Sequence, residues 1–338
     1  MTALCLVELD GAGAADASLR ALTFARSLAA AAGGADPAGG GLAAVLFADA
    51  GAVAGGTPAA DALAAYGVSD AYVVEPGQVP GYAPLAWARV LGGLTGATGA
   101  SAVLAAGTDR GAEVMAHLGA LTGAPMAANC VSAAPSGAHG WHIVRQRWAG
   151  LLLEDAALEA SPALMTVATD TVAPASAGAP ATLTVHRHQP DLADGDLAVR
   201  ATESASQGGG VSLANARVVV GGGRGVGGPD GFAPLEELAG LLGGVVGVSR
   251  VVTSEGWRPH KQQVGQTGTK ITPELYLACG ISGAIQHIAG CASAKHIVAV
   301  NSDAGAPILG HAEYAVIGDL HEVIPALVAA IKARSIPG

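Results

Sequence analysis

Cysteine is scarce in this sequence: there are four in 338 residues, and no two of them form a CxxC pair. Cys5, Cys130, Cys279 and Cys291 also show no zinc-binding spacing with the ten histidines. A disulfide framework or a structural zinc site would need a set of suitably spaced cysteines. The sequence therefore predicts four buried, reduced thiols.

Charged residues are also few, at 13%, and the formal net charge is -10. The 17 lysines and arginines are scattered, whereas binding to nucleic acid phosphates needs clustered basic residues. No apolar run reaches the length of about 18 residues that a membrane-spanning helix requires. The N-terminus has neither a basic signal segment nor an Arg-rich amphipathic pattern. We therefore expect a soluble, cytoplasmic protein with no nucleic acid partner and no membrane span.

Aromatic residues make up only 4% of the chain, whereas glycine occurs 50 times. This composition predicts cores built from Ala, Val and Leu, and the length is enough for two domains. Apolar strand patterns alternate with helical patterns, which is typical of an α/β fold with mostly parallel sheets. We predict an N-terminal α/β domain over residues 1–190, a linker over 191–212, and a doubly wound domain over 213–338.

The N-terminal domain contains one polar segment at the end of a predicted strand, residues 102–106. Thr108, Asp109 and Arg110 follow this strand and precede a helical pattern. Such a tripeptide could bind a ligand at the carboxyl edge of a sheet, or it could simply begin the helix with an N-cap. The residues alone leave both interpretations open.

The C-terminal domain begins with a pattern that is common in nucleotide-binding proteins. A predicted strand over residues 216–220 is followed by GGGRGVGG and by a predicted helix over 234–242. The loop does not match the strict GxGxxG fingerprint. Arg224 lies within it, and an arginine there can donate charge-assisted hydrogen bonds to phosphate.

The stretch from Val264 to His287 reads VGQTGTKITPELYLACGISGAIQH and contains two glycine-bearing loops. Thr272 and Pro273 predict a helix from Pro273 to about Cys279, and Ser282 could cap a second helix. Both helix starts would be candidate anion sites, because their N–H groups are unpaired. Further along, Asn301 and Asp319 end two predicted strands, where open α/β sheets bind ligands.

VGQTG, PELY and GISGAIQH, in this order and spacing, resemble the FAD-binding signature of the electron transfer flavoprotein alpha subunit family, which includes FixB-like proteins. One departure is Thr269, where many relatives have a lysine. The resemblance implies that the N-terminal domain packs against a beta subunit and that the C-terminal domain binds FAD. It also transfers the family's flavin-binding residues to Arg224, Ser249, Arg250, Val264, Gly265, Gln266, Thr267, Ser282, Gly283, Ala284, Ile285, Gln286, His287, Asn301, Asp319 and Leu320.

Three of these residues gain a specific role from the resemblance. Arg250 would lie against the isoalloxazine ring, Thr267 near its N5 atom, and His287 near its C2 carbonyl group. Positive charge at such positions would raise the flavin potential. Without the resemblance, a histidine near the end of an apolar helix is more often a core residue, and an arginine after a strand is more often part of a surface ion pair.

The function that the resemblance implies is electron transfer from a flavin-dependent dehydrogenase, such as an acyl-CoA dehydrogenase of fatty acid β-oxidation, to a quinone reductase or another acceptor. The heterodimeric beta subunit would hold AMP or a second FAD. Two alternatives stay open: a bifurcating complex that oxidises NADH, and an adenine-nucleotide-binding module without redox function. The sequence shows no evident general base, nucleophile or metal cluster, so we expect an electron carrier and not a stand-alone catalyst.

Overall fold

A computed structural model describes residues 2–32, 41–137, 140–150, 152–201, 212–214 and 216–334. The chain divides into two compact units, residues 1–205 and 206–338. Residues 202–211 of the predicted linker lie outside the described residues. Each unit contains its own sheet.

The first unit contains eleven strands and four α-helices among its described residues. The strands are β1 (Ala3–Leu6), β2 (Leu9–Asp10), β3 (Gly13–Ala14), β4 (Leu42–Phe47), β5 (Asp70–Val74), β6 (Ala102–Ala106), β7 (Met126–Ser136), β8 (Gly140–Arg147), β9 (Leu152–Glu159), β10 (Ala163–Val167) and β11 (Thr184–Arg187). The helices are α1 (Asp16–Ala31), α2 (Pro58–Ala65), α3 (Pro84–Thr98) and α4 (Asp109–Thr122).

Nine of these strands form one sheet in the order β11-β5-β4-β1-β6-β10-β7-β8-β9. Neighbours from β11 to β7 are parallel, and β7, β8 and β9 are antiparallel. Both faces carry an apolar core: Leu22 and Leu28 of α1 contribute to one, and Leu91 of α3 and Met115 of α4 to the other. The predicted α/β architecture with a mostly parallel sheet is confirmed.

The described part of the predicted linker packs on the first unit. A short 3-10 turn, Asp194–Leu197, carries the buried Asp196, which accepts hydrogen bonds from Arg89 at 3.1 and 3.2 Å. The Arg89 guanidinium lowers the pKa of this carboxyl group. The Ala201 N–H also donates to the Tyr82 carbonyl at 2.8 Å. These contacts tie residues 191–201 to the first unit.

The second unit contains five strands and four α-helices among its described residues. The strands are β12 (Val218–Gly222), β13 (Val245–Val248), β14 (Leu275–Cys279), β15 (His296–Asn301) and β16 (Tyr314–Ile317). The helices are α5 (Ala233–Leu241), α6 (Arg250–Ser254), α7 (Ile285–Cys291) and α8 (Leu320–Arg334).

All five strands run parallel in the order β13-β12-β14-β15-β16. The strand order reverses beside β12, since the chain moves from β12 to one neighbour, β13, and then returns to the other, β14. Helices α5 and α8 pack on one face, around Phe232 and Ile324, and α7 packs on the other, around Ile288 and Ile308. This is the doubly wound arrangement, in which ligands bind at the carboxyl ends of the strands near the reversal.

The predicted helix from Pro273 to Cys279 is wrong, because residues Leu275–Cys279 form β14. This strand is hydrogen-bonded on both sides and its last four residues are buried, so it reads as a continuous apolar run without a period of two. The first of the two candidate anion sites at helix starts is therefore absent. The second helix begins at Ile285 after Ala284, and Ser282 does not cap it.

No helix among the described residues is long and apolar enough to cross a membrane.

Candidate functional site

A cavity of about 610 Å³ lies at the carboxyl edge of the second sheet. Its walls include one residue that ends or follows each of the five strands: Arg224, Ser249, Gly280, Asn301 and Asp319. Because parallel strands end at a common edge, residues distant in sequence meet there. The cavity is therefore a direct product of the doubly wound topology.

The two glycine loops that follow β12 and β14 meet at this edge with their backbones in contact. The Gly223 N–H donates to the Cys279 carbonyl at 2.9 Å, and the Gly225 N–H donates to the Gly280 carbonyl at 3.1 Å. A Cβ atom on Gly223 would lie 2.2 Å from the Gly280 carbonyl oxygen. Gly280 has a φ of 61°, and its own Cβ would lie 2.7 Å from a methyl carbon of Leu320. Side chains are excluded here because the two loops pack directly on each other and on Leu320, and Gly225 and Gly280 of these loops line the cavity.

Two arginines line the cavity, and their guanidinium groups are unpaired within the described part of the chain. Arg224 lies in the 3-10 turn after β12, and Arg250 begins α6; both are exposed. In the described part of the chain, neither guanidinium forms an ion pair or a side-chain hydrogen bond, whereas Arg217 of the same unit pairs with Glu274 at 2.7 Å. Two unpaired guanidinium groups at one cavity suit an anionic ligand.

The loop that contains VGQTG is fixed to its surroundings by backbone hydrogen bonds. The Val264 N–H donates to the Val248 carbonyl at 2.9 Å, and the Gln266 N–H donates to the Gln286 carbonyl at 2.7 Å. The side chains of Gln266 and Thr267 are left exposed and line the cavity. The loop thus presents an amide and a hydroxyl group from a hydrogen-bonded backbone.

His287 lies in the wall of the cavity and is only 7% exposed. Its Nε2 atom is 2.8 Å from the Tyr276 hydroxyl oxygen, and its Nδ1 atom is buried and faces the Val264 carbonyl without a hydrogen bond of good geometry. Burial lowers the pKa of His287 to about 4, and the facing Val264 carbonyl opposes this shift only in part. The ring is therefore neutral at neutral pH, which differs from the expected positive charge at this position.

Asn301 and Asp319 use part of their polar capacity to hold the cavity wall. The Asn301 amide group donates to the Ile281 carbonyl at 2.9 Å and accepts from the Asp303 N–H at 3.0 Å. The Asp319 carboxylate accepts from the His321 N–H at 2.8 Å at the start of α8. Each carboxylate or amide oxygen retains a lone pair for a ligand hydroxyl group.

The structure brings fourteen of the sixteen predicted site residues to this one cavity. Gly283 and Ile285 do not line it. Gly283 instead approaches the backbone of Ile308, where a Cβ atom would lie 2.3 Å from the Ile308 nitrogen. The Ile285 side chain is 59% exposed on the surface. The residues that line the cavity are Arg224, Ser249, Arg250, Val264, Gly265, Gln266, Thr267, Ser282, Ala284, Gln286, His287, Asn301, Asp319 and Leu320.

Sequence reasoning missed several residues of the cavity wall, of which Gln263 is the most connected. Gln263 is buried, and its amide bonds to the Thr253 hydroxyl at 2.7 Å and to the Thr267 hydroxyl at 3.0 Å. Its position directly before VGQTG was the only available signal. The other lining residues that were not predicted are Gly225, Val251, Ser254, Glu255, Gly280, Ile281, Ser302, Asp303 and Ala306.

Comparison with known families divides the chain in the same way. A model of the electron transfer flavoprotein domain matches residues 3–193, and a model of the electron transfer flavoprotein FAD-binding domain matches residues 212–292. The cavity residues from Arg224 to His287 lie within the second match. The remaining predicted residues, Asn301, Asp319 and Leu320, lie beyond it.

Individual relatives agree with the domain matches. The electron transfer flavoprotein subunit alpha of Mycobacterium leprae is 38% identical over 269 residues, which cover 79% of this chain and 83% of the relative. The protein of the same description from Thermoanaerobacterium thermosaccharolyticum is 54% identical over 122 residues. That alignment covers 36% of this chain and only 37% of the relative. Protein FixB of Clostridium saccharobutylicum is 48% identical over 122 residues, with 36% of each chain covered.

Proposed function

Because this chain belongs to the electron transfer flavoprotein alpha subunit family, we propose that it binds FAD in the cavity of the second unit and carries electrons between redox proteins. The observation that supports FAD most directly is the pair of unpaired arginines beside a glycine-lined backbone surface. A pyrophosphate needs such donors, and Gly225, Gly265 and Gly280 line the cavity without side chains that would block it. The residues present therefore fit the cofactor.

Each part of FAD has suitable groups in the cavity. Arg224 and the backbone near Gly223 would hold the pyrophosphate, and Asn301 and Asp319 the adenosine end. Gln266 and Thr267 offer an amide and a hydroxyl group to the ribityl chain or the ring. When bound, FAD supplies a ring that accepts and releases electrons one at a time.

The protein residues control the environment of that ring. Arg250 places a positive charge at the cavity, and favourable interaction with negative charge raises a reduction potential. The neutral His287 ring lies in the same wall, with Nε2 beside the Tyr276 hydroxyl group and Nδ1 buried. The backbone hydrogen bonds of Val264 and Gln266 hold the intervening loop in place, so the donors are oriented before the cofactor binds.

We further propose a beta subunit as the partner, since the relatives are described as alpha subunits. The donor would be a flavin-dependent dehydrogenase, such as an acyl-CoA dehydrogenase of fatty acid β-oxidation, and the acceptor a quinone reductase or another redox protein. AMP or a second FAD would be bound by the beta subunit. The site of action would be the cytoplasm.

The first experiment is to purify the chain together with its beta subunit, record the visible spectrum, and quantify flavin and AMP after denaturation. One FAD and one AMP per heterodimer is the expected result for a simple electron carrier. Two FAD molecules together with bleaching by NADH would indicate a bifurcating complex instead. A colourless complex would contradict the proposal and favour an adenine-nucleotide-binding module.

A further inference from the structure

Tyr276 and His287 form a hydrogen-bonded pair in the wall of the cavity. Tyr276 lies in β14 and is completely buried, and its hydroxyl oxygen is 2.8 Å from His287 Nε2 in α7. The ring centroids are 6.0 Å apart. The pair therefore connects the central strand of the sheet to a helix that lines the cavity.

The direction of this hydrogen bond follows from the groups available. Burial, with smaller contributions from Cys291 and Cys279, raises the pKa of Tyr276 well above its ordinary value, so the hydroxyl group keeps its proton. Within the described residues, His287 Nε2 is the one hydrogen-bond partner of this hydroxyl group. A buried donor without an acceptor is costly. Tyr276 therefore donates, and Nε2 must be the unprotonated acceptor.

The tautomer of the histidine follows in turn. A neutral imidazole that accepts at Nε2 carries its hydrogen on Nδ1, where the Val264 carbonyl faces it as an acceptor. Protonation of Nε2 would leave the Tyr276 hydroxyl hydrogen without an acceptor, so the pair opposes the imidazolium form. We propose that Tyr276 is a positioning residue that keeps the His287 ring neutral, with its single N–H on Nδ1.

Gly221 makes room for the hydroxyl group of this pair. A Cβ atom at this position would lie 2.3 Å from the Tyr276 hydroxyl oxygen. Gly221 belongs to the glycine loop sequence but does not line the cavity. The absence of a side chain at residue 221 therefore makes room for the tyrosine hydroxyl group and not for the ligand.

The pair deepens the proposed function, and its importance for flavin rests on that proposal. With Tyr276 in place, the buried His287 ring in the cavity wall stays neutral and in one tautomer, and Arg250 supplies positive charge at the cavity. Without the hydroxyl group, Nε2 loses its donor and both tautomers become accessible. The histidine would then no longer present one defined hydrogen-bonding pattern.

The experiment uses the full chain labelled with ¹⁵N-histidine, in complex with its beta subunit. Ten histidines give a countable set of ring signals, and the His287 signals are identified by their loss in His287→Gln. We expect the unmodified protein to show a single tautomer protonated at Nδ1. In Tyr276→Phe, which retains the ring, we expect a mixture of tautomers and a rise of the His287 pKa by about one unit.

Cys291→Ala is the matched control, since Cys291 is buried in the same apolar cluster as Tyr276 but donates nothing to His287. It should keep the single Nδ1 tautomer. A signal protonated at Nε2 in the unmodified protein would overturn the proposal, even if Tyr276→Phe failed to fold. An unchanged tautomer in folded Tyr276→Phe would overturn it as well.

The outcome is separable from the test of FAD binding. A single Nδ1 tautomer that is lost in Tyr276→Phe supports the positioning role even in a colourless complex. A yellow complex whose His287 tautomer does not respond to Tyr276→Phe supports the proposed function and overturns this inference.

Discussion

The two units share one strand arrangement but differ in whether the polar groups at the carboxyl edge of the sheet are paired. Each has parallel strands whose order reverses beside the first strand, and each places polar residues at the carboxyl edge near that reversal. In the first unit, the Thr108 hydroxyl donates to the Glu8 carboxylate at 2.7 Å and accepts from the Gly111 N–H at 3.0 Å. The Arg110 guanidinium lies 5.1 Å from the centre of the Tyr82 ring.

In the second unit, the corresponding edge is left open. The Arg224 and Arg250 guanidinium groups form no ion pair or side-chain hydrogen bond among the described residues, and both line the cavity. The comparison shows that topology provides the location for a site, whereas unsatisfied polar groups provide its binding capacity. Of the two interpretations of Thr108 to Arg110, the structure supports the N-cap.

The largest effect should come from Gly223→Val, which adds a side chain where the two glycine loops pack together. The new Cβ would lie 2.2 Å from the Gly280 carbonyl oxygen, so the two loops must separate. Overpacking of this kind costs about 1–3 kcal/mol and deforms the backbone donors, so we expect complete loss of FAD. The flavin-to-protein ratio after purification is the measurement. Gly228→Ala is the control, because its Cβ would meet nothing within 4 Å; full flavin content in folded Gly223→Val would contradict the prediction.

A smaller effect is expected from Arg224→Ala, which removes one unpaired guanidinium. A hydrogen bond to a charged group contributes about 1.5–3 kcal/mol, so the Kd for FAD should rise about ten- to a hundredfold. Calorimetric titration of FAD into deflavinated protein measures this change. Arg217→Ala removes an exposed, ion-paired arginine from the same unit and should leave the affinity unchanged. Equal effects of the two substitutions would show that general charge, and not the cavity, attracts the cofactor.

The buried histidine predicts a pH dependence of stability in the flavin-free protein. Its pKa is about 4 when folded and about 6.5 when unfolded, so the unfolded state binds more protons between these values. The contribution of neutral His287 to the free energy of unfolding is therefore fully present above pH 6.5 and is lost as the pH falls toward 4. Between pH 6.5 and 5 the loss should be roughly 1.5 kcal/mol. Denaturant unfolding of the unmodified protein and of His287→Gln measures it; parallel pH profiles would refute the assignment.

The location of the site was predictable from sequence because it depends on chain order. Arg224 follows a predicted strand, Asn301 and Asp319 end two others, and parallel strands end at one edge. The glycine loops marked the same edge. The individual residues came from the family resemblance, and fourteen of the sixteen line this one cavity.

What the sequence could not supply is the pairing of side chains through space. The partners Tyr276 and His287 lie on a strand and a helix, and the strand was misread as a helix, which placed Tyr276 on the wrong element. Gln263 joins Thr253 to Thr267 across a turn. Without those contacts, neither the neutral state of His287 nor the buried position of Gln263 could be derived.

The smallest effect is expected from Thr108→Val, at the carboxyl edge of the first sheet. We call this edge closed because its polar groups bind one another. This change removes the N-cap of α4 and the hydrogen bond to Glu8 while keeping the shape of the side chain. Loss of an N-cap costs about 1 kcal/mol, so amide hydrogen exchange in α4 should accelerate about fivefold. Thr108→Ser retains the hydroxyl group and should preserve the protection.

FAD affinity is the readout that connects Thr108 to the comparison. If the hydroxyl group of Thr108 is used only within the first unit, its removal destabilises α4 and leaves the affinity for FAD unchanged. A fall in FAD affinity in Thr108→Val would mean that this edge also serves the cofactor. The contrast between a closed edge and an open one would then be wrong, because polar groups satisfied within one unit would still contribute to binding in the other.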